Sequence, residues 1–258
     1  MSSKRLLILI TALGFLLWAN TLPNKMFWDD DDFILNNQFI KNWRYAGKYF
    51  SENVIAGAGL VSNYWRPLLL IVFSLEWHLW EDWMPPYHLV NTSFHTASAA
   101  LLFLILNRLL DRKKLAFFTA LFFLVHPVQT EAVAYVNSLG DSLSVFFMLS
   151  GIWLYLKTSS DLKRKTHLSA AYVLALMSKE TAIILPALIA ALELWFLNKG
   201  FTLKEKFKTA FKKTLPLFAI ALLYLLLRAT ALNFKSTFNF YGDENPLPSI
   251  YLRFLPFL

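Results

Sequence analysis

The chain has 258 residues, of which 57% are hydrophobic and 16% are charged, and its formal net charge is +8. A soluble domain carries roughly 25% charged residues, so this composition excludes an ordinary soluble enzyme and predicts an all-α, polytopic transmembrane helical bundle. The basic residues lie in short breaks between apolar runs, which indicates positive-inside membrane topology and not a surface for nucleic acid. The sequence has no cysteine, so its loops hold no disulfide.

The first 22 residues predict a transmembrane helix. Ser2–Arg5 is a basic start, and Leu6–Trp18 is an apolar run. A secretory signal peptide has the same two parts, but it ends in a cleavage site made of small residues. Leu17, Trp18 and Asn20 interrupt such a site here. An uncleaved helix with its basic start in the cytoplasm places the following loop on the outer face of the membrane.

The loop at 23–66 contains the run Trp28-Asp29-Asp30-Asp31-Asp32-Phe33. Four adjacent carboxylates repel one another and need hydration, so they stay outside the lipid. Three interpretations fit this spacing. A carboxylate crowded by others has a raised pKa and can act as a general base. Oxygen ligands at Asp29–Asp32 can hold a divalent cation. The run can also be only a helix cap or a solvated turn.

Residues 39–55 have apolar residues at helical spacing, with Lys41, Arg44, Lys48 and Glu52 largely on the opposite side. The segment is too polar to cross a bilayer. The pattern therefore predicts an amphipathic helix in the plane of the membrane interface, next to the acidic run. An ordinary surface loop is the alternative.

Seven further apolar runs follow, and another begins near residue 250; the seven span 67–83, 87–110, 115–127, 133–156, 168–178, 181–197 and 214–232. Basic residues occupy three of the breaks, at Asp111–Lys114, Lys157–His167 and Lys199–Lys213. If these three breaks are cytoplasmic, three other segments face outward with the acidic run: those around His126, around Lys179 and at 233–249.

This topology allows the segment 67–110 to cross the membrane only once, although it contains two apolar runs. Glu76 and His78 lie inside the first of these runs, and charge is expensive in lipid. We therefore predict a re-entrant or protein-buried helix at 67–83. An outward-facing break at Asp111–Lys114 is the alternative.

Residues 168–197 contain two apolar runs separated by Lys179 and Glu180. Each charge would cost about 2.5–3.5 kcal/mol at the centre of a bilayer, and the segment is too short for two full crossings with a free loop. We predict two shortened helices that meet below the outer surface and leave a wet recess there. Because the chain stops within an apolar run, we also expect it to be a fragment of a longer protein.

The motif Tyr64-Trp65-Arg66-Pro67 precedes the first of these runs. Proline suits the first turn of a helix, whose free N–H groups favour an anion. The guanidinium of Arg66 can bind phosphate oxygens in bidentate fashion. The motif therefore predicts a phosphate clamp; the alternative is an interfacial arginine that only extends to the membrane surface.

Polar residues also recur where the later helices begin or end. His88, Asn91 and His95 have the spacing of one helix face, but a zinc site would need further ligands that the sequence does not reveal. The others lie next to predicted helix ends: His126, Glu131, Asp141, Lys179 and Glu180. Each fits a hydrogen-bonded group inside the bundle. Lys179 can instead pair with Glu180 or bind a phosphate. No Gly-rich nucleotide loop is present, which favours a lipid-linked substrate.

These motifs keep one order along essentially the whole chain: Asp29, Asp30, Ile34 and Asn37; Tyr64–Leu68; His88–Asn91 and His95; His126–Val128 and Thr130–Val133; Asp141; Lys179 and Glu180. Together they resemble the transmembrane glycosyltransferases of the GT-C type. In particular, they resemble the protein O-mannosyltransferase branch with transmembrane helices and C-terminal tetratricopeptide repeats.

The resemblance implies an enzyme that transfers a sugar, mannose in this branch, with inversion from a polyprenyl-phosphate carrier to a hydroxyl acceptor on the outer face. It implies Asp29 as the general base and Asp30 as its partner, whereas Asp31 and Asp32 fall where the family pattern requires no acid. The substrate-binding residues that it implies are Tyr64, Arg66, His88, Asn91, His126, Glu131, Asp141, Lys179 and Glu180. Arg66 would contact the phosphate, and His126, Glu131 and Lys179 would line the same recess.

Arg or Lys can neutralise the phosphate of such a donor, so the resemblance requires no metal, although the four aspartates leave a divalent cation open. The tetratricopeptide repeats are missing from this sequence; if the full chain lacks them too, a lipid-linked or cell-envelope glycan becomes the alternative to a protein acceptor. Two rival functions also stay open. One is a transporter with Glu76 and Lys179 along its path, and the other is a non-catalytic membrane scaffold whose acidic loop binds a basic partner.

Overall fold

The computed structural model describes residues 1–198 and 200–234 as a bundle of helices without any strand in those residues. The all-α prediction is therefore confirmed. The α-helices of the described chain are α1 (Ser3–Trp18), α2 (Lys48–Ser51), α3 (Pro67–Trp80), α4 (Pro85–Leu110), α5 (Lys113–Val125), α6 (Thr130–Ala134), α7 (Leu139–Lys157), α8 (Asp161–Ser178), α9 (Leu185–Leu192) and α10 (Leu203–Ala229). Lys199, the segment 235–249 and the apolar run near residue 250 lie outside the described residues.

Five helical segments are long and apolar enough to cross a membrane: Ser3–Thr21, Pro85–Leu110, Val136–Lys157, Glu180–Leu197 and Leu203–Ala229. A sixth crossing results if α5 and Pro127–Ala134, which are bent by 48° relative to each other, form one span. Large apolar side chains cover the outside of α5 and α10; Phe118 is 63% exposed and Leu222 59%. Such a surface suits lipid, so the chain is an integral membrane protein with several crossings.

The helix α3 is too short to cross. Its 14 residues span about 21 Å at 1.5 Å per residue, against a hydrocarbon core of about 30 Å. Glu76 on this helix is only 2% exposed, so its side chain lies within the protein and not against lipid. The prediction of a protein-buried helix is confirmed, and within 67–110 only α4 is long and apolar enough to cross a membrane.

Residues 39–55 do not form the predicted amphipathic helix. They hold a 3-10 turn at Trp43–Tyr45 and the single helical turn of α2. The physical reason is local competition for backbone groups: Oδ1 of Asn42 accepts the N–H of Arg44 at 3.1 Å. Side-chain bonds of this kind stabilise turns at the expense of a continuous helix. The periodicity of the apolar residues therefore did not decide the local structure.

This loop is instead folded against α3. The hydroxyl of Tyr49 donates to Oγ of Ser74 at 3.0 Å, and Ser74 in turn donates to the carbonyl oxygen of Ile40 at 2.8 Å. The side chain of Asn37, which is fully buried, donates to the carbonyl oxygen of Val54 at 3.0 Å. These bonds join both ends of the loop to each other and to the bundle.

The break predicted between the two runs of 168–197 is confirmed, but the prediction that both helices are shortened is wrong: α8 has 18 residues, and Glu180–Leu197 is long and apolar enough to cross a membrane. The helix α8 ends at Ser178, Lys179 is extended, and helical structure resumes at Glu180 as a 3-10 turn that leads into α9. The structure differs from the prediction at the other end, because α8 begins at Asp161 instead of residue 168. An extended Ser160 and an acidic first turn start the helix earlier than the apolar pattern does.

A buried charge joins the helices at the end of the bundle that is remote from this break. Glu193, 0% exposed, accepts two hydrogen bonds from Nζ of Lys213 at 3.1 and 3.2 Å and one from Nδ2 of Asn198 at 2.7 Å. The hydroxyl of Tyr155 also donates to it. These four residues, the Glu193 cluster, tie the end of α7 and the first half of α10 to the residues that follow α9.

Candidate functional site

A recess of about 420 Å³ opens where α6 and α7 begin and α8 ends. It gathers the acidic loop, the segment that follows His126 and the break at Lys179, which are three of the segments predicted to face outward together. The assignment of this end to the outer face of the membrane remains a prediction. We call this cavity the polar recess; it is lined by Asp29, Asp32, Phe33, Ile55, Ser62, Tyr64, Arg66, Glu131, Tyr135, Asn137, Ser138, Asp141 and Lys179.

The structure separates the four adjacent aspartates. Asp29 and Asp32 line the polar recess, Asp31 is exposed outside it, and Asp30 is fully buried. The separation follows from a tight turn that begins at Trp28 and continues as helical backbone at Asp31–Leu35, which directs successive side chains differently. No three histidine, aspartate or glutamate side chains converge as metal ligands within the described part of the chain.

Asp30 is held by backbone groups. Its Oδ1 accepts the N–H of Asn137 at 2.8 Å, and its Oδ2 accepts the N–H of Phe27 at 3.2 Å. Burial raises the pKa of Asp30 to about 6, although these two hydrogen bonds lower it. The structure therefore corrects the expected place of Asp30: it does not line the polar recess as a partner of Asp29 but fixes the backbone on which Asp29 stands.

The raised pKa of Asp30 makes a stability prediction. Its folded pKa of about 6 exceeds the ordinary 3.8, so the fold favours the protonated carboxyl. This stabilisation is complete below pH 3.8 and is lost as the pH rises through 6, by about 1.4 kcal/mol per pH unit in between. We expect a shallower fall in thermal stability between pH 4 and 6 for Asp30→Asn than for the wild type in detergent. Asp31→Asn, an exposed control, should lose thermal stability with rising pH as steeply as the wild type. The prediction is contradicted if the wild type and both variants show the same dependence of thermal stability on pH.

Two ion pairs place cations at the polar recess. Nη2 and Nε of Arg66 donate to the two carboxylate oxygens of Glu180 at 2.8 and 3.1 Å. Nζ of Lys179 lies 2.5 Å from Oδ2 of Asp141. The alternative in which Lys179 pairs with its neighbour Glu180 is therefore wrong, since each pairs with a residue of another element. Arg66 is 8% exposed and lies over the ring of Tyr64, 4.5 Å from its centre.

Tyr135 is a lining residue that the sequence interpretation missed. Its hydroxyl oxygen accepts the N–H of Asp29 at 3.0 Å, and its backbone carbonyl accepts Nδ2 of Asn91 at 2.9 Å. Burial and the charges of Asp29 and Asp30 raise its pKa to about 12, so the phenol stays neutral. The polar pair Asn137-Ser138 inside the apolar run 133–156 was the available signal, because it marks the break between α6 and α7.

Several predicted site residues lie outside the polar recess. The Nε2 of His88 is 3.1 Å from the carbonyl oxygen of Asn24, and Asn91 holds the backbone of Tyr135. His126, predicted to line the recess, instead accepts the N–H of Val128 on Nδ1 and caps the turn that follows α5. Like Glu180, which holds Arg66, these residues support the backbone or side chains of the site. The predicted site residues that do line the polar recess are Asp29, Tyr64, Arg66, Glu131, Asp141 and Lys179.

An apolar groove of about 130 Å³ lies between α8 and α10. Trp65 forms part of its wall, with its ring centre 6.2 Å from that of Tyr224. The next residue along the chain, Arg66, lines the polar recess. The remaining lining residues of the α8–α10 groove are Val173, Leu176, Met177, Ile220, Leu223 and Leu227.

No family model and no solved structure matches this chain, but curated relatives do. Protein O-mannosyl-transferase Tmtc2 of Drosophila melanogaster is 28% identical to it over 96% of this chain and 27% of the relative. Tmtc1 of the same fly is 31% identical over 67% of this chain and 21% of the relative. TMTC3 of Mus musculus is 39% identical over 36% of this chain and 10% of the relative. The chain thus spans about a quarter or less of their length, and the resemblance to protein O-mannosyltransferases is confirmed.

Proposed function

We propose that this chain, a relative of the protein O-mannosyl-transferases, carries the site of a GT-C-type membrane glycosyltransferase. In this proposal it transfers mannose from a polyprenyl-phosphate carrier to a hydroxyl of a protein acceptor on the outer face of the membrane. One observation carries the proposal: the carboxylate of Asp29 shares a single recess with the cations Arg66 and Lys179. A carboxylate can take the proton of the acceptor, and fixed cations can bind the phosphate of the donor.

The two cations suit a phosphate that gains charge during the reaction. Glu180 occupies Nε and Nη2 of Arg66, and Nη1 makes no hydrogen bond within the described residues. The bound donor is a phosphodiester with one negative charge, and the departing polyprenyl phosphate gains a second. Preorganised cations therefore stabilise the leaving group more strongly than the ground state, which lowers the barrier.

The α8–α10 groove supports a lipid-linked donor. Its lining is apolar, and several lining residues face the lipid; Leu223 is 58% exposed and Val173 40%. Trp65 in the wall of the groove is followed directly by Arg66 in the polar recess, so apolar surface and a cation are next to each other along the chain. That combination fits an amphiphile with a long hydrocarbon tail and an anionic head. A soluble nucleotide sugar would not use the groove.

In the proposed reaction the acceptor oxygen attacks C1 of the sugar while Asp29 takes the hydroxyl proton. The new C1–O bond forms as the bond between C1 and the phosphate oxygen breaks, and its electron pair leaves with the phosphate. A single displacement of this kind inverts the configuration at C1. Asp29 is exposed to the recess, and its backbone is held by Tyr135. Asp30 acts as a positioning residue in this scheme, through its bonds to Phe27 and Asn137.

The test is to incubate membranes that contain the full chain with radiolabelled polyprenyl-phosphate mannose or the corresponding glucose donor. We expect mannose, and not glucose, to appear in protein that releases it on β-elimination. We also expect equal transfer in EDTA and in Mg²⁺, because Arg66 and Lys179 neutralise the phosphate. Label that appears only in lipid-linked glycan, or no labelled product at all, would reject the protein-acceptor proposal. Loss of transfer in EDTA would instead show that the reaction needs a divalent cation.

A further inference from the structure

A second cavity adjoins the polar recess and has a different character. Its volume is about 320 Å³, and it lies between the loop before Asp29 and the helix α6. Asn24, Phe27 and Trp28 line one side, and Thr130 and Ala134 line the other. We call it the aromatic cleft. Its lining is apolar except for the side chains of Asn24 and Thr130 and for one carboxylate in its shared wall.

The aromatic cleft and the polar recess share a wall. Glu131 and Tyr135 line both cavities. Trp28 in the cleft is followed directly by Asp29 in the recess, and the hydroxyl of Tyr135 accepts the backbone N–H of Asp29. A molecule in the cleft therefore lies close to the proposed base, because Trp28 and Asp29 are consecutive residues. The hydrogen bond between Asp29 and Tyr135 holds the walls of the two cavities together.

Trp28 has an unusual backbone and an uncovered ring. Its φ is +56°, in the left-handed region that bulky residues avoid, and its side chain is 77% exposed. A conformation of this kind costs of order 1–3 kcal/mol and persists where the surrounding structure imposes it, often at ligand sites. The neighbouring Phe27 is 55% exposed and contacts the ring of Tyr135 at 4.8 Å between centres. The rings of Phe27 and Trp28 therefore form an apolar surface that the described chain leaves largely uncovered, beside the half-buried ring of Tyr135.

The cleft does not fit the donor. The described residues that line it include no arginine or lysine that could pair with a phosphate, whereas Arg66 and Lys179 lie in the polar recess on the other side of the wall. A glycan would need many hydrogen-bonding groups around its hydroxyls, and the cleft offers few. A polypeptide needs apolar surface for a side chain and a small number of polar groups for its backbone, which Asn24 and Thr130 can supply.

We propose that the aromatic cleft is the acceptor subsite: it holds an apolar side chain next to the serine or threonine whose hydroxyl reaches Asp29. The proposal rests on the proposed transferase function. It adds that the side chain beside the modified residue of the protein acceptor determines how well that acceptor binds. Because Glu131 and the aspartates border the site, acidic residues beside the hydroxyl are disfavoured.

The test uses the full chain in detergent with a peptide that carries one threonine flanked by leucine. In Trp28→Ala and in Ala134→Phe, which fills the cleft, we expect the acceptor KM to rise about tenfold or more. The donor KM should stay unchanged. Replacement of the flanking leucine of the peptide by aspartate should raise the acceptor KM of the wild-type protein by a similar factor. The same replacement should raise the acceptor KM of Trp28→Ala little further. Trp83→Ala is the matched control, since Trp83 is 61% exposed and lines neither cavity.

Binding of the same peptide, labelled with a fluorophore and followed by anisotropy, reports the cleft without any sugar transfer. Peptide binding that depends on Trp28 in a protein without transferase activity would support the cleft and reject the proposed function. The cleft proposal is overturned if the donor KM rises and the acceptor KM does not, if both variants match the wild type, if only a glycan acceptor is affected, or if the wild type does not bind the peptide.

Discussion

Replacement of Asp29 by asparagine is expected to lower mannose transfer by about 10³-fold, within the range that a positioned general base contributes. Asparagine has the same shape but cannot take the proton of the acceptor hydroxyl. The fold should be unaffected, because Asp29 is exposed and its described hydrogen bond to Tyr135 uses its backbone N–H. The measurement is the initial rate with polyprenyl-phosphate mannose, together with the thermal midpoint of the variant in detergent.

Three neighbouring variants sharpen this experiment. Asp29→Glu keeps the charge but moves it by about 1 Å, which can cost on the order of 10²-fold through misalignment alone. Asp31→Asn removes an equal charge outside the polar recess and should leave the rate close to that of the wild type. Asp32→Asn tests the other carboxylate of the recess. If Asp32→Asn is inactive and Asp29→Asn is active, the base is Asp32; full activity in both would reject a carboxylate base in this loop.

Charge reversal of the Arg66–Glu180 pair is the second large effect. Arg66→Glu alone places two carboxylates together, and we expect it to destabilise the protein by about 2 kcal/mol or more. The value lies below that of a fully buried pair because the Glu180 side chain is 38% exposed. The double variant Arg66→Glu/Glu180→Arg restores an ion pair, so most of the stability should return. Mannose transfer should stay about 10²-fold below the wild type, since the cation no longer occupies its place at the donor phosphate.

The exchange separates the structural role of the pair from its role in binding the donor. Its matched control is Lys48→Glu/Glu52→Lys, an exposed pair on one helix turn, where both stability and transfer should change little. Recovery of full transfer in the Arg66/Glu180 double variant would show that only the ion pair matters. In that case Arg66 would have no special part in binding phosphate.

The membrane helices could be predicted from the sequence because lipid imposes a strong constraint on composition. Charged residues inside an apolar run, such as Glu76 and Lys179, correctly marked the places where a simple crossing fails. The loop 39–55 could not be predicted in the same way. Its apolar spacing is helical, but asparagine side chains bond to nearby backbone, and Tyr49 is buried against α3. These contacts depend on the tertiary structure, which periodicity does not contain.

The candidate site was predicted in part. Asp29, Arg66 and Lys179 share one recess, as their segments indicated. The partners of the charges were not predictable, because Arg66 and Glu180 are separated by 114 positions in the chain. The sequence also could not predict that Asp29 lines the recess while Asp30 is buried. The two residues are identical and adjacent, and they differ only in the direction that a tight turn gives to each side chain. Tyr135 lay inside an apolar run, where a single tyrosine resembles any other interfacial aromatic residue.

The Glu193 cluster has a mechanical consequence for the helix that forms one wall of the α8–α10 groove. In its first half, α10 is anchored there by the contact of Lys213 with the buried Glu193, whereas near its end Arg228 donates to Oδ1 of Asn63 through an exposed hydrogen bond at 2.9 Å. Exposed bonds break at much lower cost than buried ionic ones. The part of α10 from Lys213 to Ala229 extends about 24 Å, so a tilt of about 5° around the Lys213 contact moves the end of the helix by about 2 Å. A pivot of this size would change the width of the α8–α10 groove on its lipid-facing side without unwinding any helix.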